Sequence, residues 1–294
     1  MLFERIVSKE PVDKGWSGDQ KYCAVLDDGS KVLLRIAPVS RLERKQREYT
    51  AMCRGAELGI PMCRPLEIGL CGEGVYSLQT WIEGEDAEGL VAAMAGPAQY
   101  RYGLDAGRIL RQLHTIPAPA DAQTWDERFN AKIDRKISMY ESCPLKYEGG
   151  EAFLRYISEN RHLLAGRPQS WQHGDYHIGN MMIDREGVLT VIDFDREDYG
   201  DPWEEFNRIV WCAQSVPAFA SGMVDGYFGG EIPEEFWRLL ALYICSNTLS
   251  SLPWAIPFGE KEIAVMKRQG EQVLAWYDGM GRTVPTWYSK EAGK

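Results

Sequence analysis

The chain has 294 residues, 45% of them hydrophobic, with 33 Lys and Arg against 43 Asp and Glu for a formal net charge of −10. That apolar content is enough for a sizeable core in one large domain or two smaller ones, and the acidic balance excludes a chain built to wrap nucleic-acid phosphates, which requires a cationic face. No run of about 18 uncharged apolar residues suggests a membrane span, the N-terminal MLFERIVSKE lacks the apolar core of a signal peptide, and seven scattered cysteines without a C-x-x-C pair fit free thiols in a reducing cytoplasm.

Residues 1 to about 80 read as strands and turns with one helix. A glycine-containing loop, Lys14-Gly15-Trp16-Ser17-Gly18-Asp19, precedes an apolar run from Tyr22 to Leu26, and Asp27-Asp28-Gly29-Ser30 turns into a second run from Lys31 to Ile36. The loop is neither a Walker A sequence, since no GK[ST] follows, nor a dinucleotide fingerprint. Leu42, Tyr49, Met52 and Ala56 fall near helical spacing and predict a helix over Arg41–Leu58. Val75–Ile82 predicts a strand running into Glu83-Gly84-Glu85. Beyond residue 85 the pattern is mainly helical, with helices expected over Tyr100–Ile116 (stopped by Pro117), Gly150–Leu164, Pro233–Leu252 and Glu260–Met280. The expected fold class is α+β, β-rich first and helical after, with no repeat or low-complexity tract.

The richest segment is WQHGDYHIGNMMIDREGVLTVIDFDREDYGDPWEEF, Trp171 to Phe206. His173-x-Asp175-x4-Asn180 and Asp193-Phe194-Asp195 parallel the H-R-D-x-x-x-x-N loop and the D-F-G of protein kinases. Asn180–Ile183 and Val188–Ile192 flank the polar turn Asp184-Arg185-Glu186-Gly187 and predict a β-hairpin. If Ile183 and Val188 flank that turn, Asn180 lies opposite Val191, close to where Asp193 leaves the second strand. Carboxylate and amide oxygens brought together suit Mg²⁺, so Asn180 and Asp193 are the expected metal ligands. Asp175, in the loop ahead of the hairpin, is the expected catalytic base, orienting a substrate hydroxyl and taking its proton.

HGDYHIGNMM followed by VIDFD and GDPWEEF resembles the aminoglycoside phosphotransferase family, small-molecule kinases related to choline kinases, and the resemblance covers nearly the whole chain. It implies a two-lobed protein-kinase-like fold, with a β-rich N-lobe at 1–83 covering nucleotide phosphates and a catalytic, substrate-binding, mainly helical C-lobe at 84–294. It implies ATP or GTP with Mg²⁺ as cofactors. Backbone amides of Ser17, Gly18 and Asp19 become candidates for phosphate contact. Arg35 stands where such kinases carry a lysine for the α- and β-phosphates; it keeps the charge but differs in reach and geometry. Glu48, on the following helix, is the expected ion-pair partner of Arg35. The hinge contacts to the nucleotide base fall at Thr80 and Ile82, and Gly200-Asp201-Pro202 closes the motif region.

The substrate is expected to be a small hydroxylated molecule with amino groups, with no nucleic-acid or membrane partner. Asp193, Asp195, Glu197, Asp198, Asp201, Glu204 and Glu205 form an acidic cluster interrupted by one basic residue, Arg196. Asp201 and one of Glu204 or Glu205 are expected to cap a helix, which leaves Asp195 and Asp198 to face a cationic acceptor. Aminoglycoside-like acceptors come first. A choline or ethanolamine kinase, or another metabolite kinase of the same fold, is the alternative; for choline, Trp203, Trp211, Trp237, Trp254, Tyr227 and Tyr243 are available for an aromatic cage. A nucleotide-binding pseudokinase with a regulatory role is a further alternative, motivated by Arg35. A protein kinase is disfavoured, because Gly200-Asp201-Pro202 follows Asp193 too closely for an activation loop.

Overall fold

The computed structural model describes residues 1–12, 18–290 and 292; the expectation at Ser17 lies outside the described residues. In chain order it runs β1 (Ile6–Pro11), β2 (Gln20–Leu26), β3 (Lys31–Ala37), α1 (Leu42–Glu57), β4 (Pro65–Cys71), β5 (Gly74–Thr80), β6 (Gly84–Asp86) and α2 (Ala87–Ala92). There follow α3 (Gly96–Leu113), α4 (Trp125–Ser142), α5 (Glu151–Asn160), β7 (Ser170–Gln172), β8 (Met181–Asp184), β9 (Leu189–Val191) and β10 (Asp198–Gly200). The chain ends with α6 (Ile209–Ser215), α7 (Pro217–Phe228), α8 (Glu234–Ala255) and α9 (Glu260–Trp276).

Two compact units result. The first is Met1–Leu90 with His173–Asp175 and Gly179–Glu197; the second is Val91–Gln172 with Tyr176–Ile178 and Asp198–Lys294. The first unit therefore borrows the motif segment from far along the chain.

The first unit is built on an antiparallel sheet in the order β1-β2-β3-β5-β4. Alternation along β2 and β3 turns Ala24, Leu26, Val32, Leu34 and Ile36 inward with Tyr76 and Leu78 of β5, and these form its core. A second, three-stranded sheet runs β6-β8-β9. Its hairpin differs by one residue from expectation. Met181 pairs with Val191 and Ile183 with Leu189, and the Asn180 carbonyl accepts the Ile192 amide at 3.0 Å, so Asn180 lies opposite Ile192 and not Val191. The cause is Asp184, whose Oδ1 accepts the amides of Glu186 at 3.0 Å and Val188 at 2.8 Å. That draws Asp184 into the strand and leaves Arg185-Glu186-Gly187 as the loop, with Gly187 at φ 81° in the left-handed position such loops require.

The second unit is helical. Its long helix α8 packs against α4, α5 and α9. By length and composition, Glu234–Phe258 is apolar enough to cross a bilayer, but Leu239, Leu240, Leu242, Ile244 and Leu249 are buried by those neighbours, which accounts for its hydropathy. The short strands β7 and β10 pair antiparallel here.

Candidate active site

The loop after β7 is organised by His173, which is fully buried. Its Nε2 donates to the Ile192 carbonyl at 2.8 Å and its Nδ1 accepts the Asp175 amide at 3.2 Å, which fixes the ring tautomer. Gly174 has φ 81°, and a Cβ there would stand 1.9 Å from the Arg196 carbonyl oxygen, so no larger residue fits between His173 and Asp175. The Asp175 carboxylate is part-exposed, with Arg196 Nη1 3.5 Å from Oδ2. Asn180 Nδ2 donates to the Asp175 carbonyl at 2.9 Å; with the nitrogen so engaged, Oδ1 is the side-chain atom suited to a cation.

Asp193 sits at φ 66°, ψ 62°, a left-handed conformation tolerated by aspartate and found where a site constrains the backbone. Its Oδ1 accepts Arg35 Nη1 at 2.8 Å and its Oδ2 accepts Lys21 Nζ at 3.1 Å. Burial opposes ionisation of this carboxylate, but the charges of Arg35 and Lys21 and the hydrogen bonds they donate outweigh it and hold Asp193 well below the usual carboxylate range.

Behind Asp193 lies a buried ion network. Arg35, 1% exposed, places Nε 3.1 Å from Asp19 Oδ2 and Nη2 3.5 Å from Asp195 Oδ1. Lys45 Nζ meets Asp19 at 2.6 Å, Glu48 at 2.9 Å and Asp195 at 2.8 Å. Arg41 adds a 3.3 Å contact to Asp19. Burial disfavours the Lys45 ammonium, yet the surrounding carboxylates more than compensate and raise its pKa.

Two expectations change here. The direct Arg35–Glu48 pair is replaced, because Lys45, one helical turn before Glu48 on α1, takes that carboxylate while Arg35 reaches Asp19, Asp193 and Asp195. Asp195 does not stand on an open cation-recognising rim; its carboxylate is already held by Lys45 and Arg35. Sequence reading overlooked Lys45 and Lys21. The first was legible as a residue on the same helical face as Glu48. The second emerges only with the observed register, which pairs Val25 with Lys31 and so sets Lys21, and not Tyr22, opposite Arg35.

A cavity of about 250 Å³ within the first unit is lined by Lys21, Arg35, Asp86, Asn180 and Asp193 at its polar wall and by Leu33, Thr80, Trp81, Ile82 and Met182 elsewhere. Thr80 Oγ1 accepts the Arg64 amide at 2.9 Å, and the Thr80 amide donates to the Arg64 carbonyl at 2.9 Å. Gly18 lies on the exposed approach to β2, and a Cβ there would stand 3.2 Å from the Arg41 guanidinium. A larger, open depression of about 680 Å³ also touches Thr80–Ile82 but carries none of Asp175, Asn180 and Asp193.

The two-oxygen set of Asn180 Oδ1 and the Asp193 carboxylate fits Mg²⁺, which completes its shell with phosphate oxygens and water. It does not suit a fully protein-ligated ion, and no cluster of three or more His, Cys, Asp or Glu able to hold one occurs among the described residues.

In the second unit the remaining acids are also engaged. Asp201 is fully buried, accepts Arg167 Nε at 2.7 Å and Tyr243 Oη at 2.6 Å, and takes the Trp203 amide at 2.9 Å. Glu204 accepts Lys132 at 3.2 Å, and the exposed Asp198 lies 3.3 Å from Arg128. Of the aromatic residues considered for a cage, Trp237, Tyr227 and Tyr243 are buried in the core, and Trp203 lies under the Arg167 guanidinium at 3.9 Å.

A family model described as the phosphotransferase enzyme family (APH) matches residues 9–240. Among solved structures, the chain is similar to a choline/ethanolamine kinase family protein from Mesorhizobium loti at 18% identity, covering 94% of this chain and 91% of that one, with a TM-score of 0.66. It is also similar to a variant of aminoglycoside 2'-phosphotransferase-IIIa in complex with GDP, at 16% identity over 94% of both chains and a TM-score of 0.68. A thermostable variant of aminoglycoside phosphotransferase APH(4)-Ia, in a ternary complex with ADP and hygromycin B, matches at 16% identity over 93% of this chain and 95% of that one, with a TM-score of 0.64. The fold is thus the protein-kinase-like one, with an antiparallel N-terminal sheet and a helical C-terminal part.

Proposed function

Because the chain belongs to the phosphotransferase enzyme family, we propose that it transfers the γ-phosphoryl group of ATP or GTP to a hydroxyl of a small molecule. The observation that carries this reading is the grouping of Asp175, Asn180 and Asp193 by one buried histidine and one hairpin, beside a cavity into which Lys21 and Arg35 bring cations next to Asp193 and Asp86. Mg²⁺ held by Asn180 and Asp193 would neutralise phosphate charge. The chain's own residues do the rest. Arg35 fixes Asp193 in place, and Asp175, with Arg196 Nη1 3.5 Å from its Oδ2, aligns the acceptor hydroxyl and takes its proton. Backbone amides at Ser17, Gly18 and Asp19 would cover the phosphates, and Thr80 and Ile82 would flank the base.

Aminoglycoside-like acceptors remain the first reading, supported by relatives whose complexes hold hygromycin B and nucleotide. With Asp195 and Asp201 engaged internally, the exposed Asp198 is the candidate for an ammonium group, which would compete with Arg128 for it. Choline or ethanolamine is the second reading, supported by the Mesorhizobium loti relative. All seven cysteines are free thiols, which supports a reducing compartment such as the cytoplasm.

A coupled kinase assay over aminoglycosides, aminosugars, choline, ethanolamine and homoserine, with ATP and GTP, tests this reading. Asp175→Ala should lower turnover by about two to four orders of magnitude while nucleotide affinity stays near wild type. Wild-type turnover in that variant would remove Asp175 from the chemistry.

A further inference from the structure

Asp193 is held by two cations of unequal freedom. Lys21 and Arg35 face each other across β2 and β3, and each donates to one oxygen of Asp193. The Arg35 side chain is 1% exposed and fixed by Asp19, Asp193 and Asp195. Swinging it out would break three ion pairs in a dry site, leaving charges unpaired. Lys21 has Asp193 as its ion-pair partner among the described residues, its side chain is 10% exposed, and it lines the 250 Å³ cavity.

We propose that Lys21 on β2, and not Arg35 on β3, grips the phosphates of the nucleotide, with Arg35 serving as the immobile strut that positions Asp193. The assignment rests on the nucleotide-dependent reading above. A divalent cation arriving at Asp193 competes with the Lys21 ammonium for the same carboxylate, and the two like charges repel. A compact ammonium on a flexible four-carbon stem can then turn to a phosphate oxygen, whereas a guanidinium forked among three carboxylates cannot. Lys21 thus holds the Asp193 charge before loading and the phosphate charge after it.

The test compares Lys21→Met, Lys21→Arg and the wild-type protein in three measurements: fluorescent ATP and GTP analogue binding with Mg²⁺, Mn²⁺ binding without nucleotide by electron paramagnetic resonance, and thermal unfolding. Lys21→Met should weaken triphosphate binding about 10- to 100-fold and leave nucleoside binding unchanged. It should tighten Mn²⁺ binding, because the competing ammonium is gone. Lys21→Arg should recover most of the triphosphate affinity. A residue with a merely structural role would weaken metal and nucleotide binding together, so that outcome overturns the assignment, as does unchanged triphosphate affinity in Lys21→Met. If Lys21→Met melts below the assay temperature, Lys21→Gln is read by the same criteria. Failure of the wild-type protein to bind either nucleotide overturns the kinase reading and this assignment together; binding by wild type with an unchanged Lys21→Met overturns the assignment alone.

Discussion

Burial, followed by the charge of Lys132, pushes the Lys136 ammonium on α4 down to about 7; Arg208 and Arg135 act in the same direction and Glu204 opposes them. An unfolded lysine titrates near 10.4, so between these values the unfolded chain binds a proton that the folded chain does not, and stability rises with pH. Below about pH 7 both states are protonated and the destabilisation is complete. Lys136→Met should therefore stabilise the protein by about 1–2 kcal/mol near pH 6, a figure reduced for the partial exposure of the side chain. The gain should shrink through pH 8 and vanish near pH 10, as read by urea unfolding at each pH; a gain independent of pH would refute the titration argument. Gly174 makes a different residue-scale case. The spacing of His173, Asp175 and Asn180 was readable because it parallels the H-R-D-x-x-x-x-N loop of protein kinases, but the need for glycine between the first two comes from the carbonyl of Arg196, which no local pattern announces. Gly174→Ala should displace Asp175 and reduce turnover about 100-fold, the effect of roughly 1 Å misplacement, with nucleotide affinity largely retained in the same titration used for Asp175→Ala.

At the scale of elements, α3 and α7 meet backbone to backbone. Gly103 and Gly107 on α3 face Gly222 and Gly226 on α7, and a Cβ at Gly107 or Gly226 would stand 2.1 Å from a carbonyl oxygen of the opposite helix. Tyr100 Oη donates to Asp225 at 2.7 Å and ties the same pair of helices. Alanine in a helix interior is ordinarily about 1 kcal/mol better than glycine. Gly226→Ala should reverse that sign and lose about 2 kcal/mol or more, because the helices must separate and forfeit packing along their length; a raised melting temperature in this variant would show that the contact yields easily. These helices also explain what was legible. The helix α3 carries a clear apolar period and was anticipated, though its start at Gly96 was placed later. The helix α7 is buried around most of its circumference, with Phe219, Ala220, Met223, Val224 and Tyr227 all inside, so no 3.6-residue stripe marks it. The strands β1, β4, β7 and β10 escaped notice because their residues alternate weakly or their runs are too short for a period of two to emerge. The hairpin register slipped by one because a side chain, Asp184, closes the turn where backbone pairing alone was assumed.

For the whole molecule, the first unit is discontinuous, and its electrostatics depend on that. Lys21, Arg35, Arg41 and Lys45 come from the N-terminal stretch, as do Asp19 and Glu48, but Asp193 and Asp195 arrive with the motif segment. Four cations then face four carboxylates, whereas the N-terminal stretch alone sets four cations against two. Arg35 and Lys45 are almost fully buried, and removing partners from buried charges costs about 3–5 kcal/mol per broken pair, comparable with the whole stability of a small domain. The sheet β6-β8-β9 is lost as well, since β6 pairs only with β8 among the described strands. A fragment of residues 1–90 should therefore lack a cooperative thermal transition and show poorly dispersed amide resonances at neutral pH, while the full chain shows both. Joining residues 1–90 to 173–197 through a flexible linker should restore dispersion, because it returns both carboxylates and two strands in one step. If the 1–90 fragment instead folded cooperatively alone, the motif segment would be a passenger on a self-sufficient sheet and the buried network would not be what couples the site's chemistry to folding of the unit.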